Sequence, residues 1–151
     1  RAIYFGGGKM PNKKIGFLIK QVFYLHEQHL NKQFSKFGLT ASQTFTLIYL
    51  FKSHDKGISV NQKDIEKELD ISNPTVTGIL NRLEVKGLIT RVPCRHDARA
   101  KNIEVTEKAL ELDKQLRIVF QQSDEKLVES LSKEEIDNLQ SYLIKILRSN
   151  S

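Results

Sequence analysis

The sequence predicts a mainly α-helical fold of the α+β class, with six helices and one two-stranded hairpin. Three observations lead there. Apolar residues recur at spacings of three and four through most of the chain. Gly, Ser, Thr, Asn and Pro interrupt those runs at positions that start or stop helices. Two short runs rich in β-branched residues occur together, within residues 88–105, around a basic loop. With 151 residues, 39% of them hydrophobic, the chain can bury one core, or two small helical layers that share one.

The elements follow in order. Residues 1–9, with a Gly-Gly-Gly run just ahead of the only Met, read as an appended leader and are set aside. Residues 12–37 carry Ile15, Leu18, Ile19, Val22, Leu25, Leu30 and Phe34 on one stripe, a long amphipathic helix that Gly38 stops. "LTASQTFTLIYLFKSHDKG" restarts with Thr40 as N-cap; Phe45, Ile48, Leu50 and Phe51 are expected inward, and Gly57 closes it. "ISV", residues 58–60, is a short β-like run. Asn61 caps "NQKDIEKEL", with Ile65 and Leu69 inward and acids in the first turns, where the helix dipole favours them. Ser72 or Asn73 then caps a fourth helix whose Pro74 sits in the first turn, where a missing N–H does no harm. Val76, Ile79, Leu80 and Leu83 form its buried face, and Gly87 ends it. "LITRV" and "KNIEV" make a hairpin with the tip "PCRHDARA". Thr106 caps a fifth helix running to residue 131, with Leu112, Leu116, Val119, Leu127 and Leu131 as its stripe. "SKEE" is a capping box opening the sixth, with Ile136, Leu139, Leu143 and Ile146 inward.

Two helices across a tight turn, followed at once by a basic hairpin, make a winged helix-turn-helix. The outward face of the fourth helix supports this reading. It carries Thr75, Thr77, Gly78, Asn81 and Arg82, where Glu–Lys pairs would stabilise a plain surface helix better. In the major groove, small residues permit close approach while Thr, Asn and Arg meet phosphates and base edges. Ser72 and Asn73, at the helix start, complete the expected contact set. In the hairpin, Arg91, Arg95, Arg99 and Lys101 against Asp97 give residues 90–102 a net charge of +3. Such a tip fits phosphates or a narrow minor groove. Charge is also segregated. Residues 71–102 hold six basic and two acidic side chains, whereas residues 103–151 hold seven basic and ten acidic, within an overall net charge of +6.

From Ile15 onward the chain resembles the multiple-antibiotic-resistance regulator (MarR) family of bacterial transcription factors. "GLTASQ" is similar to the start of that family's second helix. "ISNPTVTGILNRLEVKGLITR" is similar to its recognition helix and first wing strand, and "DARAKNIEVTEKA" to its wing signature. Ala109 stands where the family usually has Gly. The resemblance implies a homodimer whose first, fifth and sixth helices interlock, acting often as a repressor released by a small ligand or an oxidant. It implies that Arg99 is the minor-groove residue and Asp97 the carboxylate that holds it.

Other chemistries fit less well. "HEQH" places His26 and His29 three apart, whereas the zinc-protease box needs four, and residues 106–131 add no histidine; no metal is expected. "GGGK" lacks the rest of a phosphate-binding loop. No carboxylate pair or Ser–His set suggests turnover, so no catalytic residue and no cofactor are expected. Cys94, beside Arg95 and His96, could be a redox sensor but reads as an incidental wing thiol. As the only cysteine it makes no internal disulfide, and no apolar run approaches the ~20 residues of a membrane span, so a cytoplasmic protein is expected. Phe17, Tyr24, Phe45 and Tyr49 are the candidates for an aromatic effector pocket between the dimerisation helices and the winged domain.

The expected organisation is residues 10–39 and 106–151 as dimerisation helices around a winged DNA-binding domain, residues 40–105. The expected function is a dimeric regulator of a pseudo-palindromic operator on double-stranded DNA, a repressor relieved by a small aromatic effector. The alternatives are a winged-helix module that binds protein, or a redox- or metal-responsive regulator.

Overall fold

A computed structural model of the chain describes residues 14–97 and 99–151; the expected leader lies outside them. The order is α1 (Ile15–Lys36), α2 (Ala41–Asp55), α3 (Gln62–Leu69), α4 (Asn73–Val85), β1 (Ile89–Pro93), β2 (Lys101–Val105), α5 (Glu107–Leu127) and α6 (Lys133–Ser149).

Local chemistry sets most boundaries. Thr40 accepts from the Gln43 N–H while the Gln43 side chain accepts from the Thr40 N–H, a reciprocal cap. Asn61 with Asp64, and Ser132 with Glu135, repeat it at α3 and α6. Thr106 accepts from the Ala109 N–H and donates to the Gly87 carbonyl, joining the start of α5 to the turn after α4. Ser72 occupies the N-cap position of α4 without a side-chain cap; its hydroxyl pairs with that of Thr75 at 2.9 Å.

The core gathers Phe34 of α1, Leu47 and Phe51 of α2, Ile65 of α3, Leu80 and Leu83 of α4, Ile89 and Ile103 of the hairpin and Leu116 of α5. Each such side chain, removed from water, contributes roughly 1.5–3 kcal/mol. Thr44 and Thr46 are fully buried, yet each hydroxyl donates to the carbonyl four residues back, so neither is orphaned.

Strands β1 and β2 pair antiparallel from Ile89↔Val105 to Pro93↔Lys101. The expected strand at residues 58–60 is reduced to an Asn61↔Asn102 bridge and the Ile103 N–H bonded to the Val60 carbonyl at 2.7 Å. Asn61 already caps α3, which leaves no length for a ladder. The fifth helix stops at Leu127 rather than 131, where the chain turns into the Ser132 capping box.

The apolar stripes of the terminal helices depart further from expectation. On α1 only Leu30 and Phe34 are buried, while Ile15, Leu18, Ile19, Val22 and Leu25 are exposed. On α6 no residue is buried, and Leu139, Leu143, Ile146 and Leu147 lie open. Phe45, expected inward on α2, is also exposed. Among the described residues, nothing covers these faces.

Candidate nucleic-acid interface

The orientation of α4 is fixed from both ends. Its buried face is Val76, Ile79, Leu80 and Leu83, as the apolar spacing requires. At its C-terminus Lys86 donates to the Gly38 carbonyl and to Gln43 Oε1, and the Lys86 carbonyl accepts from Lys108 Nζ at 2.7 Å. At its N-terminus Asn73 Nδ2 donates to Glu66 Oε1 of α3 at 2.6 Å. Gln62 Nε2 reaches Glu66 Oε1 at 3.2 Å and Thr77 Oγ1 at 2.8 Å.

That leaves Ser72, Asn73, Thr75, Asn81 and Arg82 exposed, with Thr77 and Gly78 half-buried. Gly78 has ordinary helical geometry, and a Cβ there would meet nothing within 4 Å. Nothing among the described residues requires glycine at a position where alanine would favour the helix by about 1 kcal/mol.

The hairpin closes over this face to form a cleft of about 750 Å³, walled by Asn73, Thr77 and Asn81 on one side and Arg99 and Lys101 on the other. Arg95, Arg99 and Lys101 are exposed and, among the described residues, carry no ion pair. Arg91 differs. Its Nη1 meets Glu84 Oε2 at 2.7 Å and its Nη2 meets Asn81 Oδ1 at 2.8 Å, so it joins the base of the wing to α4. Asp97 holds Arg99 through the main chain, its Oδ1 accepting the Arg99 N–H at 2.9 Å. The guanidinium is thereby left outside the Asp97 contact.

Known proteins are similar to this chain in sequence and in fold. A sequence model of the MarR family matches residues 37–100. The structure of the Staphylococcus aureus MepR–DNA complex superposes with a TM-score of 0.72 at 31% identity, covering 91% of this chain and 99% of that one. This chain belongs to the MarR family of transcription regulators. S. aureus MepR, described as a transcription regulator of the multidrug efflux pump MepA, superposes at 0.82 with 29% identity over 92% of this chain and 100% of its own. Apo MarR from Escherichia coli gives 0.76 with 25% identity over 91% and 99%. Ala109, the departure from the family's usual Gly, is fully buried in the first turn of α5, which accommodates the methyl group.

The remaining candidates are placed as follows. Phe17 lies exposed on the N-terminal half of α1, with Tyr24 part-buried two turns on. Phe45 sets its ring edge-on to Phe34, centroids 6.1 Å apart, and Tyr49 is part-buried against the core, where burial and the charges of Asp64 and Glu68 raise its phenol above the usual value. None of the four lines the cleft of about 540 Å³ beside α5, whose walls include Phe37, Leu88 and Leu112. Cys94 is half-buried and its Sγ donates to Asn102 Oδ1 at 3.0 Å. Burial and then Lys126, His26, Lys36 and Lys32 lower the His29 imidazole pKa. Among the described residues no group of three His, Cys, Asp or Glu could hold a metal, and no helix is long and apolar enough to cross a membrane.

Sequence reasoning missed Gln62, Glu66, Glu84 and Lys86. Glu84 had a signal, since its place three residues after Asn81 sets both on one helix face.

Proposed function

We propose that this MarR-family chain binds double-stranded DNA as a homodimer, with α4 in the major groove and the wing over the adjacent backbone and minor groove. One observation carries the reading. A small-polar helix face, including a glycine that nothing among the described residues requires, shares a cleft with Arg99 and Lys101, which carry no ion pair among those residues. A groove-reading helix needs close approach and polar groups, and a wing needs cations. The MepR–DNA complex, similar over nearly the whole chain, supports the same reading. A protein-binding winged module would leave Arg95, Arg99 and Lys101 without a counterpart.

The exposed stripes of α1 and α6 supply the dimer surface, and two copies of α4 then meet one face of a pseudo-palindromic operator, as in dimeric helix-turn-helix proteins. The regulation is repression by occupancy of promoter DNA, relieved by a small aromatic acid bound near Phe17, Tyr24, Phe45 and Tyr49 in the dimer. Footprinting on the chain's own upstream region tests the geometry. Two protected half-sites with centres about one turn, ~34 Å, apart are expected, and protection of one isolated half-site contradicts it. Calorimetry with salicylate-like acids tests the effector. Millimolar binding that weakens DNA affinity without splitting the dimer is expected, and no binding across such a panel removes the pocket.

A further inference from the structure

Hydrogen bonds to charged anchors fix which atoms α4 turns outward. A guanidinium only donates, so the Asn81 atom 2.8 Å from Arg91 Nη2 is the carbonyl oxygen. Arg91 is held in turn by Glu84, and its side chain is only 20% exposed. The planar carboxamide of Asn81 therefore carries Nδ2 on its other arm, away from the guanidinium. Reversing it would set two donors against each other. A carboxylate only accepts, so Glu66 fixes Asn73 and Gln62 in the same way. The Gln62 amide nitrogen then meets Thr77 Oγ1, which accepts there and keeps its own hydrogen for another partner.

We propose that Arg91 positions Asn81 for base selection: by holding the Asn81 carbonyl it presents the amide nitrogen to DNA, so that Asn81 reads an acceptor edge in the major groove. The edges that qualify are guanine O6/N7, thymine O4 and adenine N7, whereas cytosine offers only its N4 donor. An unconstrained asparagine pairs bidentately with adenine N6/N7 using both arms, and the clamp on Asn81 Oδ1 weakens that mode to the single Nδ2 bond to N7, leaving cytosine as the one base with no acceptor to offer. Arg91 thereby leaves the set of phosphate contacts and becomes part of the specificity apparatus. The inference rests on the DNA-binding reading above.

The test is selection of a random duplex pool by the full-length chain, with sequencing of what is retained, for the wild type, Asn81→Asp and Arg91→Ala. In the wild type, one position per half-site should reject cytosine about tenfold relative to the three bases that offer an acceptor. Asn81→Asp keeps an acceptor for Arg91 but turns an oxygen outward, so preference at that position alone should move to cytosine. Arg91→Ala frees the carboxamide to turn, so the same position should become degenerate while the others persist. Circular dichroism establishes that both variants are folded. An unchanged preference in Asn81→Asp, a cytosine at the wild-type position, or equal loss at all positions in folded variants overturns the inference while leaving DNA binding intact. A wild-type pool with no enriched sequence overturns the DNA-binding reading and this inference with it.

Discussion

At the scale of single residues, substitutions at Gly78 and Arg99 test the proposed DNA contact separately from the fold. Gly78→Ala meets open space on a helix, so the variant should gain about 0.5–1 kcal/mol of stability in urea denaturation. The same methyl group would stand between α4 and the floor of the groove, so DNA affinity should fall; a stabilised variant with undiminished affinity would show that α4 does not approach closely. Arg99 is exposed and, among the described residues, unpaired, so Arg99→Ala should leave thermal stability where it was. Its DNA affinity should drop by roughly 1–3 kcal/mol, with the log–log salt slope shrinking by about one unit per wing. Titration at several salt concentrations reads both quantities, and an unchanged slope would take Arg99 off the DNA. Both residues stood out in the sequence as candidates, because a glycine or arginine on a polar face declares itself without knowledge of its neighbours. The bonds of Arg91 were not legible there. Its bonds to Asn81 and Glu84 depend on the angle at which the hairpin returns over α4, and residue type alone makes it one more wing cation.

At the scale of elements, the sequence signals that held are local ones. Thr40, Asn61, Thr106 and Ser132 cap as expected because a cap needs only the next three residues. Thr106→Ala removes the acceptor for the Ala109 N–H and the donor to the Gly87 carbonyl, and should cost about 1 kcal/mol in urea denaturation. Gly87 ends α4 with φ +72°, where a side chain would find room but not the right torsion, since the nearest atom to an added Cβ is Lys108 Cδ at 4.0 Å. Gly87→Ala should therefore cost on the order of 1–2 kcal/mol through the backbone alone. A near-neutral result in the same assay would mean that the turn relaxes. The run at residues 58–60 misled because β-propensity says nothing of whether a partner edge is free, and Asn61 was already committed to α3.

At the scale of the molecule, the periodicity of α1 and α6 correctly marked apolar faces but not what covers them. Burial within one chain reaches only Leu30 and Phe34 on α1 and nothing on α6. Such faces are the kind that symmetric association buries. Light scattering at micromolar concentration should give twice the 17.4 kDa chain mass, and Leu143→Lys combined with Leu147→Lys should shift it toward one. A folded wild-type monomer would contradict the dimer. The account as a whole turns on whether this arrangement reads DNA, and fluorescence anisotropy with the chain's own upstream region decides that most directly when run at two salt concentrations against a scrambled duplex. It predicts saturable binding at least ~10³-fold tighter than to the scrambled duplex, weakening steeply with salt as phosphate contacts release counterions. Equal affinity for both duplexes, or none for either, would contradict it.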